Sequence, residues 1–154
     1  MKILVASDSH GDNQALKDIV NRHPNMDYYL HLGDSESDEY SIFPFVSVRG
    51  NCDFYPFEEQ ILINTPYGKL YACHKPYGKS KFLHENNIKI FLHGHTHIRR
   101  NEKIDDLYIF NPGSISFSRD FFDKSYMIID ISCDKISARY LQYIWNGEQY
   151  VRRI

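Results

Sequence analysis

Short apolar runs alternate with polar clusters through the first part of the chain. The run KILVA (Lys2–Ala6) is short and apolar, which is typical of a buried strand, and it ends in the polar turn SDSHGD. The segment NQALKDIVNRH (Asn13–His23) has apolar residues at helical spacing and is followed by Pro24, so it predicts a helix. Further strands that end in polar clusters are predicted at MDYYLHLGD, FVSVRGNCD and IKIFLHGH.

The remaining segments are rich in strand-forming residues separated by turn residues. EEQILINTPYGKLYACHKP predicts a hairpin around TPYG, and GKSKFLHENN predicts a short helix. Four more strands are predicted at IRRNEKI, LYIFN, SYMIIDIS and KISARYLQYI. A parallel first part followed by hairpins predicts one α/β domain over residues 1–154, with two mixed sheets face to face and helices outside.

The composition is that of a globular protein, with 42% hydrophobic and 25% charged residues. A formal net charge of −2 and scattered Lys and Arg give no clear nucleic-acid-binding surface. Three cysteines without CxxC spacing argue against a disulfide framework or a structural zinc site. The N-terminal apolar run is too short for a signal peptide or a membrane span, so we expect a soluble cytoplasmic protein. The 12 Tyr and 10 Phe would support a homodimer.

Five polar clusters follow predicted strands, all on one side of a single sheet, where ligands bind in open α/β sheets. Any one cluster by itself predicts only a turn or a helix cap. Together they offer two Asp, one Asn and four His as candidate ligands, a set that suits Zn, Mn, Fe or Ni. The clusters are Asp8-Ser9-His10, Gly33-Asp34, Gly50-Asn51-Cys52-Asp53, His74 and Gly94-His95-Thr96-His97.

This ligand set predicts two metal ions. Seven ligands are too many for one tetrahedral ion, and they suit two ions about 3.5–4 Å apart that share a bridging carboxylate. Two divalent cations outweigh the charges of Asp8 and Asp34, and the neutral Asn51 keeps that surplus, so the site would attract a phosphate ester. Three candidate ligands each follow a glycine, which we expect to permit a sharp turn: Gly33, Gly50 and Gly94.

The clusters stand in the motif order D-x-H, G-D, G-N, H, G-H-x-H, and in this the chain resembles the calcineurin-like metallophosphoesterase superfamily. GNCD, GHTH and the later NPGS (Asn111–Ser114) resemble its small prokaryotic phosphodiesterase branch, the YfcE type. The resemblance covers the chain from Ile3 to about Asp130. It implies a β-sandwich of two mixed sheets flanked by helices, in four layers α/β/β/α, which agrees with the predicted elements.

The resemblance also implies a role for each candidate ligand. Asp34 would bridge two divalent ions, with Mn²⁺ as the first expectation and Zn²⁺, Fe²⁺ or Ni²⁺ as alternatives. A hydroxide that bridges the ions would attack the phosphorus of a small phosphate ester in line. Asn51, and Arg119 shortly after NPGS, are candidates for substrate contacts. The other ligands would divide into Asp8, His10 and His97 on one metal and Asn51, His74 and His95 on the other.

Three features depart from the family pattern. Many relatives that cleave monoesters have His directly after the metal-binding Asn, as a candidate acid for the leaving group. Cys52 stands there instead, and its neutral thiol is a poor substitute, which favours a phosphodiesterase and leaves the general acid unassigned. Lys75 replaces a frequent Gly and would contact phosphate or point to solvent, with solvent favoured. The short segment between Asp34 and Asn51 predicts an open site.

Two other functions stand beside the phosphodiesterase. A phosphomonoesterase or nucleotidase is disfavoured by Cys52. The retromer scaffold subunit shares the implied fold but lacks part of the histidine set and works through its surface. A catalytically weak metal-binding scaffold of that kind is disfavoured, because all seven ligand positions are filled here. Two further histidines have structural interpretations, His31 as a hydrogen-bonded core residue and His93 as support at a strand end.

Overall fold

Residues 1–117 and 123–144 are described by the computed structural model, and they form two five-stranded sheets and two helices. The first sheet contains β1 (Lys2–Ala6), β2 (Tyr28–His31), β3 (Val46–Ser47), β9 (Ser125–Ile131) and β10 (Ile136–Gln142). The second contains β4 (Gln60–Asn64), β5 (Lys69–Cys73), β6 (Ile88–His93), β7 (Arg100–Ile104) and β8 (Leu107–Asn111). The strand orders are β10-β9-β1-β2-β3 and β4-β5-β6-β8-β7, and the helices are α1 (Asn13–Arg22) and α2 (Ser80–Glu85).

The two sheets pack face to face with one helix on each outer face. Successive side chains of a strand point to opposite faces, so each strand contributes to two apolar layers. The largest core cluster lies between the sheets and combines residues of β1, β2 and β9 with residues of β5, β6 and β8. On the outer faces, Leu4 of β1 packs with Leu16 of α1, and Phe91 of β6 packs with Leu83 of α2. The predicted α/β/β/α sandwich is therefore confirmed.

The predicted elements are found close to their predicted positions. The first helix begins after Asp12, whose carboxylate accepts a hydrogen bond from the Ala15 N–H, and it ends at Arg22. The strand expected in FVSVRGNCD is only the two residues of β3, because Val48 and Arg49 instead contact Glu58 and the chain then turns at Gly50. The two strands of the last predicted hairpin, β9 and β10, return to the first sheet, where β9 runs antiparallel to β1.

The carboxyl ends of the parallel strands lie at one end of the sandwich. In the first sheet β1, β2 and β3 run parallel, and in the second β5, β6 and β8 do so. The sequence placed all polar clusters on one side of a single sheet. In the structure the first sheet supplies Asp8, His10, Asp34 and Asn51, whereas the second supplies His74, His95 and His97.

No helix within residues 1–117 and 123–144 combines the length and apolar character needed to cross a lipid bilayer. The assignment of all 154 residues to one domain stays a prediction, because residues 118–122 and 145–154 lie outside the described ranges.

Candidate metal centre

Asp8, His10 and His97 form the first group of candidate ligands, with potential ligand atoms that all lie within 4.8 Å of one another. The Nε2 atom of His97 lies 3.3 Å from Asp8 Oδ1 and 3.3 Å from His10 Nε2. Asp8 comes from the end of β1 and His97 from the loop after β6, so this group joins the two sheets.

Asp34, His74 and His95 form the second group, also within 4.8 Å. Asn51 faces it, with its side-chain oxygen 2.9 Å from His74 Nε2 and 3.0 Å from His95 Nδ1. Asp34 Oδ2 lies 3.1 Å from the same His74 nitrogen. A third set of residues, His10, Glu36 and Cys52, also has potential ligand atoms within 4.8 Å of one another. The division of the ligands between two metals and a bridging role for Asp34 stay predictions.

In three of the candidate histidines, a hydrogen bond at Nδ1 determines that Nε2 faces the centre. Nδ1–H of His74 donates to the Leu32 carbonyl at 2.7 Å, and that of His97 donates to the Phe117 carbonyl at 2.6 Å. Nδ1 of His10 lies 3.3 Å from Glu36 Oε2. A ligating histidine usually donates its second N–H in this way, which fixes the tautomer and leaves Nε2 for the metal.

The Asp8 carboxylate tests whether these residues fit a metal ion. Its Oδ2 accepts hydrogen bonds from the Ser7 hydroxyl and from the His95 N–H. Its Oδ1 is buried and has no hydrogen-bond donor among the described residues, yet it faces Nε2 of His97 at 3.3 Å and Nε2 of His74 at 4.0 Å. A buried carboxylate oxygen ordinarily has a donor, and one that faces imidazole nitrogens suits a transition-metal cation. The candidate ligands therefore fit a metal ion.

Comparison with known proteins identifies the family. The model of the calcineurin-like phosphoesterase superfamily domain matches residues 1–134. The chain belongs to the calcineurin-like phosphoesterase superfamily. It is 30% identical over 158 residues to the probable metallophosphoesterase YsnB of Bacillus subtilis, covering 95% of this chain and 94% of YsnB. It is also 25% identical over 163 residues to the phosphodiesterase YfcE of Escherichia coli, covering 84% of this chain and 88% of YfcE.

A solved structure agrees with this membership. The crystal structure of a predicted phosphoesterase from Streptococcus pneumoniae aligns with a TM-score of 0.82 and 27% identity, covering 92% of this chain and 88% of that one. The predicted fold and the predicted reaction class, hydrolysis of phosphate esters, are therefore confirmed at the level of the superfamily. Metal dependence belongs to that family, and the two groups of ligand atoms are the candidate site for it in this chain.

Five of the seven candidate ligands adopt a left-handed backbone conformation. Their φ angles lie between 44° and 72°, a region that residues other than glycine seldom occupy and that concentrates at functional sites. The sequence assigned the sharp turns to the preceding glycines, and this holds only for Gly33, at φ 101°. Gly50 and Gly94 instead provide space. A Cβ on Gly50 would lie 2.1 Å from Asp34 Oδ1, and one on Gly94 would lie 2.1 Å from Ser7 Oγ.

A residue that is not a candidate ligand, Asp53, holds two ligand loops together. The buried Asp53 carboxylate accepts hydrogen bonds from the N–H groups of Asp34, Glu36 and Gly50 at 2.7–2.9 Å. It therefore ties the Gly33-Asp34 loop to the Gly50-Asn51 loop. Neither Asp53 nor Glu36 was singled out from the sequence. The only available signal was the position of Asp53 at the end of GNCD.

The segment NPGS and the nearby Ser116 also support the ligand loops. The Asn111 side chain donates to the Gly94 carbonyl at 3.3 Å and to the Thr96 hydroxyl at 3.0 Å. The hydroxyls of Ser114 and Ser116 donate to the Asp8 carbonyl at 2.9 and 2.8 Å. The D-x-H and G-H-x-H loops thus share one scaffold.

The charges at the second group act on each other strongly. Burial would raise the pKa of Asp34, but the hydrogen bonds from His74 and from the Cys52 N–H lower it to about 2. Burial opposes protonation of His74, but its hydrogen bond to Asp34 and the charge of Asp8 raise its pKa above the usual value. Burial, together with the nearby His74 and Lys75 charges, lowers the pKa of His95. A divalent ion would therefore compete at His74 with the proton that Asp34 favours there.

The remaining histidines lie outside both groups. His31 is fully buried, with Nε2 2.9 Å from the Ser9 hydroxyl and Nδ1 accepting from the Gly33 N–H at 3.1 Å. Burial lowers its pKa to about 4, so it is a neutral link between two ligand loops. His93 donates to the Gly94 carbonyl and accepts from Arg100. Both positions agree with the structural interpretations of these histidines.

Three further candidates have different outcomes. Cys52 is exposed, and burial together with the charges of Asp34 and Glu36 raises the pKa of its thiol. Lys75 is exposed and also lines a cavity beside the second ligand group. Arg119, proposed from the sequence as a substrate contact, lies outside the described residues.

Proposed function

We propose that this protein hydrolyses small phosphodiesters with two divalent metal ions held at the candidate centre. The observation that carries the proposal is the buried Asp8 Oδ1, which faces imidazole nitrogens from both ligand groups and has no donor in the described ranges. The phosphodiesterase activity named for the relative YfcE supports the choice of a diester. Mn²⁺ is the proposed metal, and Zn²⁺, Fe²⁺ and Ni²⁺ are its alternatives.

Each residue of the centre has a proposed task. Asp34 would help to hold both ions, and the other candidate ligands would divide between them as the two groups do. When bound, such ions lower the pKa of a water molecule and stabilise charge that develops on phosphoryl oxygens. Glu36 and the Leu32 carbonyl orient His10 and His74 from behind. The exposed Asn51 side chain offers its amide group to the substrate phosphate.

The thiol of Cys52 favours a diester over a monoester. A raised pKa keeps the thiol neutral near pH 7, and a neutral thiol is a weaker acid than imidazolium. An ester with a good leaving group needs little proton donation, whereas an alkyl monoester needs more. We therefore expect chromogenic diesters to be hydrolysed faster than alkyl monoesters such as nucleoside monophosphates, and a panel of both at equal concentration tests this.

The function is tested by hydrolysis of bis(p-nitrophenyl) phosphate with added Mn²⁺. Asn51→Ala and His97→Ala should each lower kcat/KM by about 100-fold or more, because even residues that only orient metal ligands account for about 10–100-fold. His84→Ala is the matched control, since His84 is an exposed histidine of α2 outside both groups. Equal activity in wild type and both ligand variants would contradict the proposal.

A metal-binding scaffold without turnover is the alternative, and tightly bound metal without hydrolysis of any phosphoester would support it. The cytoplasmic location and the homodimer stay predictions.

A further inference from the structure

A cavity of about 570 Å³ adjoins the second ligand group. Asn51 and His74 form the wall that it shares with the metal centre, and further residues of the loop after β5 also line it, among them Lys75 and Lys79. The volume lies in the range of small-molecule sites. A phosphate ester bound at the metals therefore has room for one of its organic groups in this cavity.

The cavity wall has more cationic residues than acidic ones, and one of its carboxylates is already hydrogen-bonded to the backbone. Its cationic residues are Arg49, Lys75 and Lys79, and its acidic residues are Asp53 and Glu59. Three backbone N–H groups already occupy the Asp53 carboxylate. Neither Lys75 nor Lys79 forms an ion pair with any carboxylate in residues 1–117 and 123–144.

Lys75 and Lys79 both line the cavity, and Lys75 directly follows the candidate ligand His74 in the chain. An anion bound in the cavity would therefore be attracted by both ammonium groups.

We propose that this cavity binds one organic group of the phosphodiester and selects a group that carries a second anion, either phosphate or carboxylate. Lys75 and Lys79 bind that anion. The exposed ring of Tyr77, edge-on to His95 at 5.9 Å between centroids, forms the rim between the cavity and the metal centre. The proposal rests on the proposed phosphodiesterase function and names the substrate class of that same site.

The test compares four p-nitrophenyl phosphodiesters that differ only in the second alcohol, which is ethyl, 2-carboxyethyl, 2-phosphoethyl or choline. All four esters release p-nitrophenol, so the same absorbance measurement follows the hydrolysis of each. Ion pairs of the second anion with Lys75 and Lys79 should raise kcat/KM of the anionic esters about ten-fold above that of the ethyl ester. The cationic choline ester should have a lower kcat/KM than the ethyl ester. Comparison of the 2-carboxyethyl and 2-phosphoethyl esters shows whether the cavity prefers a carboxylate or a phosphate. The preference should shrink at high salt.

The ratio of anionic to ethyl kcat/KM is the measured quantity, because a purely structural effect would change both esters alike. Lys75→Gln with Lys79→Gln should reduce the ratio to near one, whereas Lys75→Arg with Lys79→Arg should preserve it. Lys81→Gln is the matched control, since Lys81 is exposed on α2 and paired with Glu85. A wild-type ratio near one, or a ratio unchanged in the double Gln variant, would overturn the cavity proposal alone. Hydrolysis of no ester would overturn the proposed function with it.

Discussion

At the scale of single residues, carboxylates behind the ligands decide how the ligands are held. Glu36 contacts His10 Nδ1, and Asp53 accepts three backbone N–H groups from two ligand loops. Such partners fix ring orientation and loop geometry, and their removal lowers metal affinity. The chemistry of the centre therefore depends on residues that lie one contact away from it.

Replacing Glu36 tests this dependence. Glu36→Ala removes the acceptor for His10 Nδ1–H, so we expect Mn²⁺ affinity to fall by about 10–100-fold. Glu36→Gln keeps an oxygen acceptor and should retain most of the affinity. Glu102→Ala is the control, because Glu102 pairs with Arg100 on a surface strand away from the ligands. Calorimetric titration with Mn²⁺ measures all three, and an unchanged affinity in Glu36→Ala would exclude the orienting role.

The Asp34–His74 pair predicts how the stability of the metal-free protein varies with pH. The lowered pKa of Asp34 contributes stability above about pH 4 that is lost as pH falls toward about 2. The raised pKa of His74 contributes stability below about pH 6.5 that is lost as pH rises through its folded value. In urea unfolding with EDTA, the pair should contribute most to the free energy of unfolding between about pH 4 and pH 6.5. Asp34→Asn should flatten both slopes, and an identical pH profile for this variant would contradict the pairing.

At the scale of elements, the strands and ligand motifs were predictable, because short apolar runs and fixed motif spacings are local signals. β1 was predicted at its observed bounds, and the turn before each ligand followed from the polar cluster there. The contacts of Asp53 and Glu36 were not predictable in the same way. They join loops that are adjacent only after β1, β2 and β3 align in parallel, and no local pattern encodes that juxtaposition.

Close packing between two ligand loops makes Gly50 a test at this scale. A Cβ at position 50 would lie 2.4 Å from the Asp34 backbone nitrogen, which cannot move without displacing the loop. We expect Gly50→Ala to lower the free energy of unfolding by about 2 kcal/mol or more and to abolish Mn²⁺ binding. Gly11→Ala, which adds its Cβ in open space at φ 86°, should cost about 1 kcal/mol. A smaller loss for Gly50→Ala than for Gly11→Ala in urea unfolding would contradict the packing argument.

At the scale of the whole molecule, both sheets contribute candidate ligands to the metal centre. Residues that follow β1, β2 and β3 supply two carboxylates, one amide and the imidazole of His10, whereas residues after β5 and β6 supply three imidazoles. Ions bound there would link the ends of both sheets, so metal binding should stabilise the folded protein through mass action. The single-sheet placement predicted from the sequence was wrong because the strands from β4 to β8 form a second sheet, which strand patterns alone do not reveal.

The most direct test of the central claim is the number of divalent ions bound per chain. Equilibrium dialysis against Mn²⁺ followed by elemental analysis should give two ions in the wild type. His97→Ala, which removes a ligand of the first group, and Asn51→Ala, which removes one of the second, should each give about one ion under the same conditions. The same metal content in all three proteins, or one ion in the wild type, would contradict the two-ion centre.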